Sequence, residues 1–108
     1  MAFPPEFLDE IRARIPVSDV TGRRVALKRR GREHVGLSPF KAEKTPSFTV
    51  NDEKGFYHCF STGEHGDVFT FLMKTEGLSF PEAVERLATQ AGLEVPRESP
   101  QARERAER

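Results

Sequence analysis

At 108 residues, with 36% apolar residues, nine Phe, no Trp and one Tyr, the chain suits one compact domain with tails, since a stable core needs roughly 60 residues or more. Its 17 basic and 17 acidic residues cancel, so net charge favours no partner, and a single cysteine, Cys59, excludes an intrachain disulfide and accords with a reducing, cytoplasmic setting. The opening Met-Ala-Phe-Pro-Pro-Glu lacks the basic-then-apolar pattern of a secretion signal, and nowhere do about 18 apolar residues run together, so neither secretion nor membrane spanning is expected.

Pro4 and Pro5 lead into Glu6–Ile15, where Phe7, Leu8, Ile11 and Ile15 recur at helical spacing and acids crowd the first turn. This predicts an amphipathic helix ended by Pro16. Ser18 is expected to cap one further helical turn before Gly22. Arg24–Arg29 alternates basic and apolar residues, Arg30-Gly-Arg32 supplies a turn, and His34–Ser38 returns, which predicts a hairpin with a basic tip. Ser47–Asn51 and Phe56–Phe60 are two more β-prone runs, joined by the turn-like Asp52–Gly55. After a turn from Gly63 to Gly66, Asp67 is placed to cap a helix carrying Val68, Phe69, Phe71 and Leu72 that stops at Gly77. Ser79 and Glu82 have capping-box spacing, and Ala83, Val84, Leu87, Ala88 and Ala91 stripe a last helix ending at Gly92. Residues 97–108 have mixed charge and no large apolar side chain, so a domain over residues 1–96 followed by a charged tail or linker is expected.

The charge is polarised along the chain. Gly22–Phe48 holds eight Lys or Arg against two acids, a local +6, whereas Thr49–Pro96 holds three against eight, a local −5. No clustered carboxylates suited to two Mg²⁺ ions, no phosphate-binding Gly-rich loop and no Ser/His/Asp arrangement stands out, so catalysis by these residues alone is not expected. His34, His58, Cys59 and His65 lack the spacing of metal-ligand knuckles, and strand neighbours such as His58 and Cys59 point to opposite faces.

Ser38-Pro-Phe-Lys-Ala-Glu-Lys-Thr-Pro-Ser-Phe48 followed by Phe56-Tyr-His-Cys-Phe-Ser-Thr-Gly63 resembles the N-terminal zinc-ribbon (CHC2-type) domain of bacterial DnaG-type DNA primases. In that family a C-P-F-H run precedes E-K-T-P-S-F, and Y-H-C-F-x-C-G follows about a strand later. The flanking helices keep the family's order, so the likeness extends over roughly residues 3–96. It implies an α+β fold: a zinc-ribbon-like antiparallel sheet flanked by helices. It also implies a role in holding single-stranded DNA template for RNA primer synthesis during replication. The partners expected are a polymerase domain in cis or in trans, which would carry the Mg²⁺ chemistry, and the replicative helicase. The module itself is expected to be monomeric and away from membranes.

The four places where the family carries zinc ligands read Ser38, Lys41, Cys59 and Thr62. Hydroxyls stay protonated at neutral pH and bind zinc poorly, and an ammonium repels the ion, so no zinc is expected here. An apolar centre of Leu37, Phe40, Phe48, Phe56, Phe60, Phe69 and Phe71 is expected to take over its structural role. Ser38 and Thr62 would bond across the site, and Lys41 would pair with Glu43 or Glu64.

Single-strand binding needs cations along phosphates and aromatic or hydrogen-bonding groups against bases. With Val25 and Leu27 inward, Arg24 and Lys28 turn outward. Arg30, Arg32 and Lys44 extend the ridge, Lys54 adds a charge in the next turn, and Ser47, Thr49 and Asn51 alternate on one strand face. Two arrangements stay open for the fourth strand. Either Phe56, His58 and Phe60 face inward and Tyr57 outward, or Cys59 turns inward as in the family and a twist or bulge intervenes. Tyr57 and His58 complete the candidates on that basis. The alternative function is a protein-interaction module that contacts a primase core or helicase through the acidic C-terminal helices.

Overall fold

The structure, a computed structural model, describes residues 3–96; the proposed tail lies outside the described residues. Helix α1 (Pro5–Arg14) starts with Pro in its first turn, where a missing N–H costs nothing, and ends before Pro16. The short α2 (Val17–Thr21) follows, with Pro16 at its N-cap. Ser18 is not that cap. Its N–H and hydroxyl both donate to the Asp52 carboxylate, at 2.8 and 2.6 Å, and tie α2 to the turn after the third strand.

Five antiparallel strands follow in spatial order β1 (Lys28–Arg30), β2 (Glu33–Gly36), β3 (Phe48–Asn51), β4 (Phe56–Cys59) and β5 (His65–Gly66). The first is shorter than the alternation over Arg24–Arg29 suggests. The N–H groups of Arg24 and Val25 still bond back to Thr21 in the wake of α2, so pairing starts only at Lys28. Val25 is buried and crosses so close to β2 that a Cβ on Gly36 would lie 2.5 Å from its Cγ1 and 2.8 Å from the Ala26 carbonyl oxygen. The fifth strand arises where a plain turn was expected, because His65 and Gly66 pair with His58 and Tyr57.

Helix α3 (Val68–Glu76) is capped by Asp67, which accepts from the Thr70 N–H at 3.0 Å, and stops at Gly77 in the left-handed region (φ 68°). Helix α4 (Phe80–Ala91) opens with a reciprocal Ser79/Glu82 capping box and ends at Gly92. No described helix is long and apolar enough to cross a membrane.

Helices α2 and α3 contact strands of the sheet, and α4 joins α1 and α3. The centre is aromatic. Tyr57 stacks on Phe48 at 5.4 Å between centroids and meets Phe71 edge-on at 5.3 Å, while Phe40 closes over both Tyr57 and Phe48 at about 6 Å. Phe69 is also buried. The expected apolar centre is thus correct for Phe40, Phe48, Phe69 and Phe71 and wrong for Leu37, Phe56 and Phe60, which are exposed. Tyr57 takes the inner place because β4 alternates regularly: Phe48 pairs with Cys59 and Val50 with Tyr57, all four on the inner face. No bulge is needed.

The Tyr57 hydroxyl is buried and meets no hydrogen-bond partner, a defect that costs about 1–3 kcal/mol. Tyr57→Phe should therefore leave stability unchanged or raise it, while Tyr57→Ala should cost about 3–5 kcal/mol. Urea unfolding of both variants checks this.

Candidate nucleic-acid interface

The outer face of the sheet follows from register. Lys28 pairs with Val35, Val35 with Thr49, Thr49 with His58 and His58 with His65, so these five side chains form one row across all five strands. A second row on the same face holds Arg30 opposite Glu33 and Asn51 opposite Phe56. Beyond the end of β4, Phe60 is 68% exposed and its ring lies flat against His58 at 4.4 Å between centroids, with His65 continuing the stack at 6.0 Å. Cations stand at the β1 edge and rings at the β4–β5 edge, three strand spacings or about 14 Å away.

The expected binding residues divide accordingly. Lys28, Arg30 and His58 are on this face, with Arg32 beside them in the β1–β2 turn and Lys54 exposed in the β3–β4 turn. Lys44 is exposed in the loop between β2 and β3. Arg24 lies on the helical side, lining a cavity of about 420 Å³ with Phe71, Leu72, Glu76 and Arg86. Ser47 is engaged by side-chain partners described below. Tyr57, offered as a stacking group, is 0% exposed and cannot meet a base without unfolding β4. Burial, with the Glu64, Asp67 and Cys59 charges, also pushes its phenol well above the usual range. The same face also carries Phe56, Phe60 and His65, which the sequence reading does not single out. The signal for them was parity: once Cys59 is inward, the flanking Phe56 and Phe60 must be outward.

At one end of the sheet two turns meet, Ser38–Lys41 and Cys59–Thr62. The Cys59 thiol donates to Ser38 Oγ at 3.1 Å and lies 3.3 Å from Ser61 Oγ. Thr62 Oγ1 accepts from the Glu64 N–H at 3.2 Å within its own turn. Lys41 is exposed and pairs with neither expected acid, because Glu64 is bound by Lys74 at 2.9 Å and Glu43 by serine and backbone groups. Burial pushes the Cys59 thiol up, but the hydroxyls of Ser38, Ser61 and Thr62 outweigh it and bring it down to about 6.

A family profile described as the CHC2 zinc finger, of the DnaG zinc-ribbon type, matches residues 3–103. The chain belongs to the CHC2 zinc-finger family. It is 46% identical over 98 residues to a DNA primase of Pasteurella multocida, covering 91% of this chain and 17% of that one. To a DNA primase of Geobacillus stearothermophilus it is 50% identical over 92 residues, 85% of this chain and 15% of the other. It therefore spans about a sixth of the length of these relatives. Among solved structures, the crystal structure of the Aquifex aeolicus primase (zinc-binding and RNA polymerase domains) superposes with a TM-score of 0.77 at 31% identity, over 89% of this chain and 23% of that one.

The family's metal does not fit the residues present here. Of the four ligand places only Cys59 offers a soft donor, and its sulfur is already hydrogen-bonded to hydroxyls. Among the described residues no group of three or more His, Cys, Asp or Glu converges to hold an ion. A tetrahedral zinc site requires four such ligands.

Two carboxylates sit below the ordinary value of 4.5: Glu43 through the Ser47 hydroxyl and then the Ser38 N–H, and Glu82 through the Ser79 N–H and hydroxyl. A depressed carboxylate stabilises the fold above its unfolded value and stops doing so as pH falls through its folded value. Cys59, held below its ordinary 9.0, gives up its own contribution as pH falls to about 6, so the carboxylate step is read below that: the thermal midpoint should hold from about pH 6 to about pH 5 and decline below the unfolded value of 4.5. A Glu43→Gln/Glu82→Gln variant followed by circular dichroism should show a shallower acid decline than the parent.

Proposed function

We propose that this chain is the template-reading module of a bacterial-type DNA primase, holding single-stranded DNA during RNA primer synthesis, and that it does so without zinc. The observation that carries the reading is the outer face of the sheet, where Lys28, Arg30, Phe56, Phe60 and His65 are exposed among the described residues. Exposed cations at one edge and stacked, exposed rings at the other meet the two demands of an unpaired polynucleotide: neutralised phosphates and a platform for bases. Thr49 and Asn51 lie between them; the Thr49 hydroxyl donates to the His58 carbonyl and Asn51 Oδ1 accepts from the Lys54 N–H, which leaves the Thr49 oxygen as an acceptor and the Asn51 amide N–H groups as donors. The DNA primase relatives supply the replication context, and nucleotide addition, with its Mg²⁺, is assigned to a polymerase domain acting in cis or in trans. Replicative helicase is a further partner on this reading, and the setting is cytoplasmic.

Titration of a short single-stranded oligodeoxynucleotide at several salt concentrations tests it. Lys28→Ala/Arg30→Ala should weaken binding and reduce the salt slope by about 1.4, at roughly 0.7 per phosphate released. Phe60→Ala should weaken binding by roughly 5- to 150-fold, the worth of one stacked base, with the slope unchanged. Tyr57→Phe should bind as the parent does. Should neither surface variant alter affinity, the sheet face is not the interface, and the helical, protein-binding alternative takes its place. Metal analysis of the purified chain tests the zinc-free part: stoichiometric zinc would end it.

A further inference from the structure

Two residues at the family's ligand places, Ser38 and Cys59, join a connected side-chain cluster whose hub, Glu43, lies outside those places in the E-K-T-P-S-F run that the family also carries. One oxygen of the Glu43 carboxylate accepts from the Ser38 N–H at 2.8 Å and from the Ser47 N–H at 3.1 Å. The other accepts from the Ser47 hydroxyl at 2.7 Å. Ser47 Oγ is in turn 2.9 Å from Ser61 Oγ and 3.9 Å from Cys59 Sγ, and Cys59 Sγ reaches back to Ser38 Oγ. The loop closes on itself: first turn, β3 entrance, second turn, end of β4, first turn.

A zinc ion in a ribbon does one structural thing, which is to bind two turns distant in sequence at a single point. Here the same two turns are bound by Glu43, which reaches Ser38 directly and the 59–61 turn through Ser47. An ionised carboxylate suits this task, because it accepts several hydrogen bonds at once and charge-assisted bonds are stronger than neutral ones. The cluster also sits at the entrance of β3 and the exit of β4, so it fixes the register that keeps Tyr57 and Cys59 inward and His58 and Phe60 outward.

We propose that Glu43, with Ser38, Ser47, Ser61 and Cys59, is a hydrogen-bonded lock that does the cross-linking work of the family's metal. The idea rests on the zinc-free reading above, and its test separates the two. In the chain as it exists, Glu43→Gln should lower the thermal midpoint at neutral pH by roughly 4 °C or more and speed labelling of the buried Cys59 by a disulfide reagent. Chelator should leave the parent's midpoint unmoved. The triple variant S38C/K41H/T62C restores a cysteine, histidine and two-cysteine set with Cys59; it should take up one zinc per chain, and with zinc bound the added Glu43→Gln change should shift the midpoint much less than in the parent. An unchanged midpoint and labelling rate for Glu43→Gln in the parent overturns the lock, as does an equal shift with and without the installed zinc site. Zinc found in the parent, or a fall in its midpoint with chelator, instead overturns the zinc-free reading.

Discussion

A β-strand shows each side chain to one of two faces, and on β4 that choice is made at Cys59. Its sulfur lies among hydroxyls at the junction of two turns, so Cys59 must point inward, and strict alternation then sends Tyr57 inward and Phe56, His58 and Phe60 outward. The aromatic centre and the exposed ring stack are therefore two results of one register. Slipping β4 by a residue would bury Phe60 and His58 where Tyr57 now stacks on Phe48, and would bring Tyr57 and Cys59 to the surface. The turns at the sheet's end thus govern a surface that they do not themselves form.

On the zinc-free reading proposed above, what stabilises those turns has to be permanent in the covalent chain. Pairs among Phe40, Phe48, Tyr57 and Phe71 supply packing beyond simple area, at about 0.5–1.5 kcal/mol for a well-placed ring pair. Ring packing is non-directional enough to hold a sheet on its helices but says little about which turn meets which. Direction comes from the polar cluster, whose donors and acceptors match at only one relative placement of Ser38, Ser47 and Ser61. Stability and specificity are in this way assigned to different residues.

Local chemistry was legible in the sequence where a rule is local. The Asp67 cap, the Ser79/Glu82 box and the stops at Gly77 and Gly92 depend on residues within one turn of each other, and all stand as read. The misreadings lie where a distant contact decides. Ser18 had the right chemistry for a cap, but Asp52, far along the chain, offers it a better acceptor. Phe is more hydrophobic than Tyr, so composition favours Phe56 and Phe60 for the core; parity anchored at Cys59 overrules it. From sequence alone Glu43 offers only a partner for Lys41. Its role as a hub requires knowing that Ser38 and Ser61, separated by a hairpin, end side by side.

The row from Lys28 to His65 also bears on how a polynucleotide would lie. Along three of the strands the outer face repeats a single chemistry: cations on β1, small polar groups on β3, rings on β4. Across the strands the chemistry changes from ammonium through Val35 and the Thr49 hydroxyl to the two imidazole rings of His58 and His65. An unpaired strand has phosphates on one side of its sugars and bases on the other, so it gains from both edges only if its backbone runs beside β1 while its bases reach inward toward β4, or if it crosses the sheet outright. The gap of about 14 Å between β1 and β4 is too long for a single base to bridge from a phosphate held at Lys28, which favours the crossing path. Glu33, opposite Arg30 on the outer face, adds to this: it repels a backbone laid lengthwise over β2 and leaves the row through Val35 and Thr49 as the uncharged passage between cations and rings.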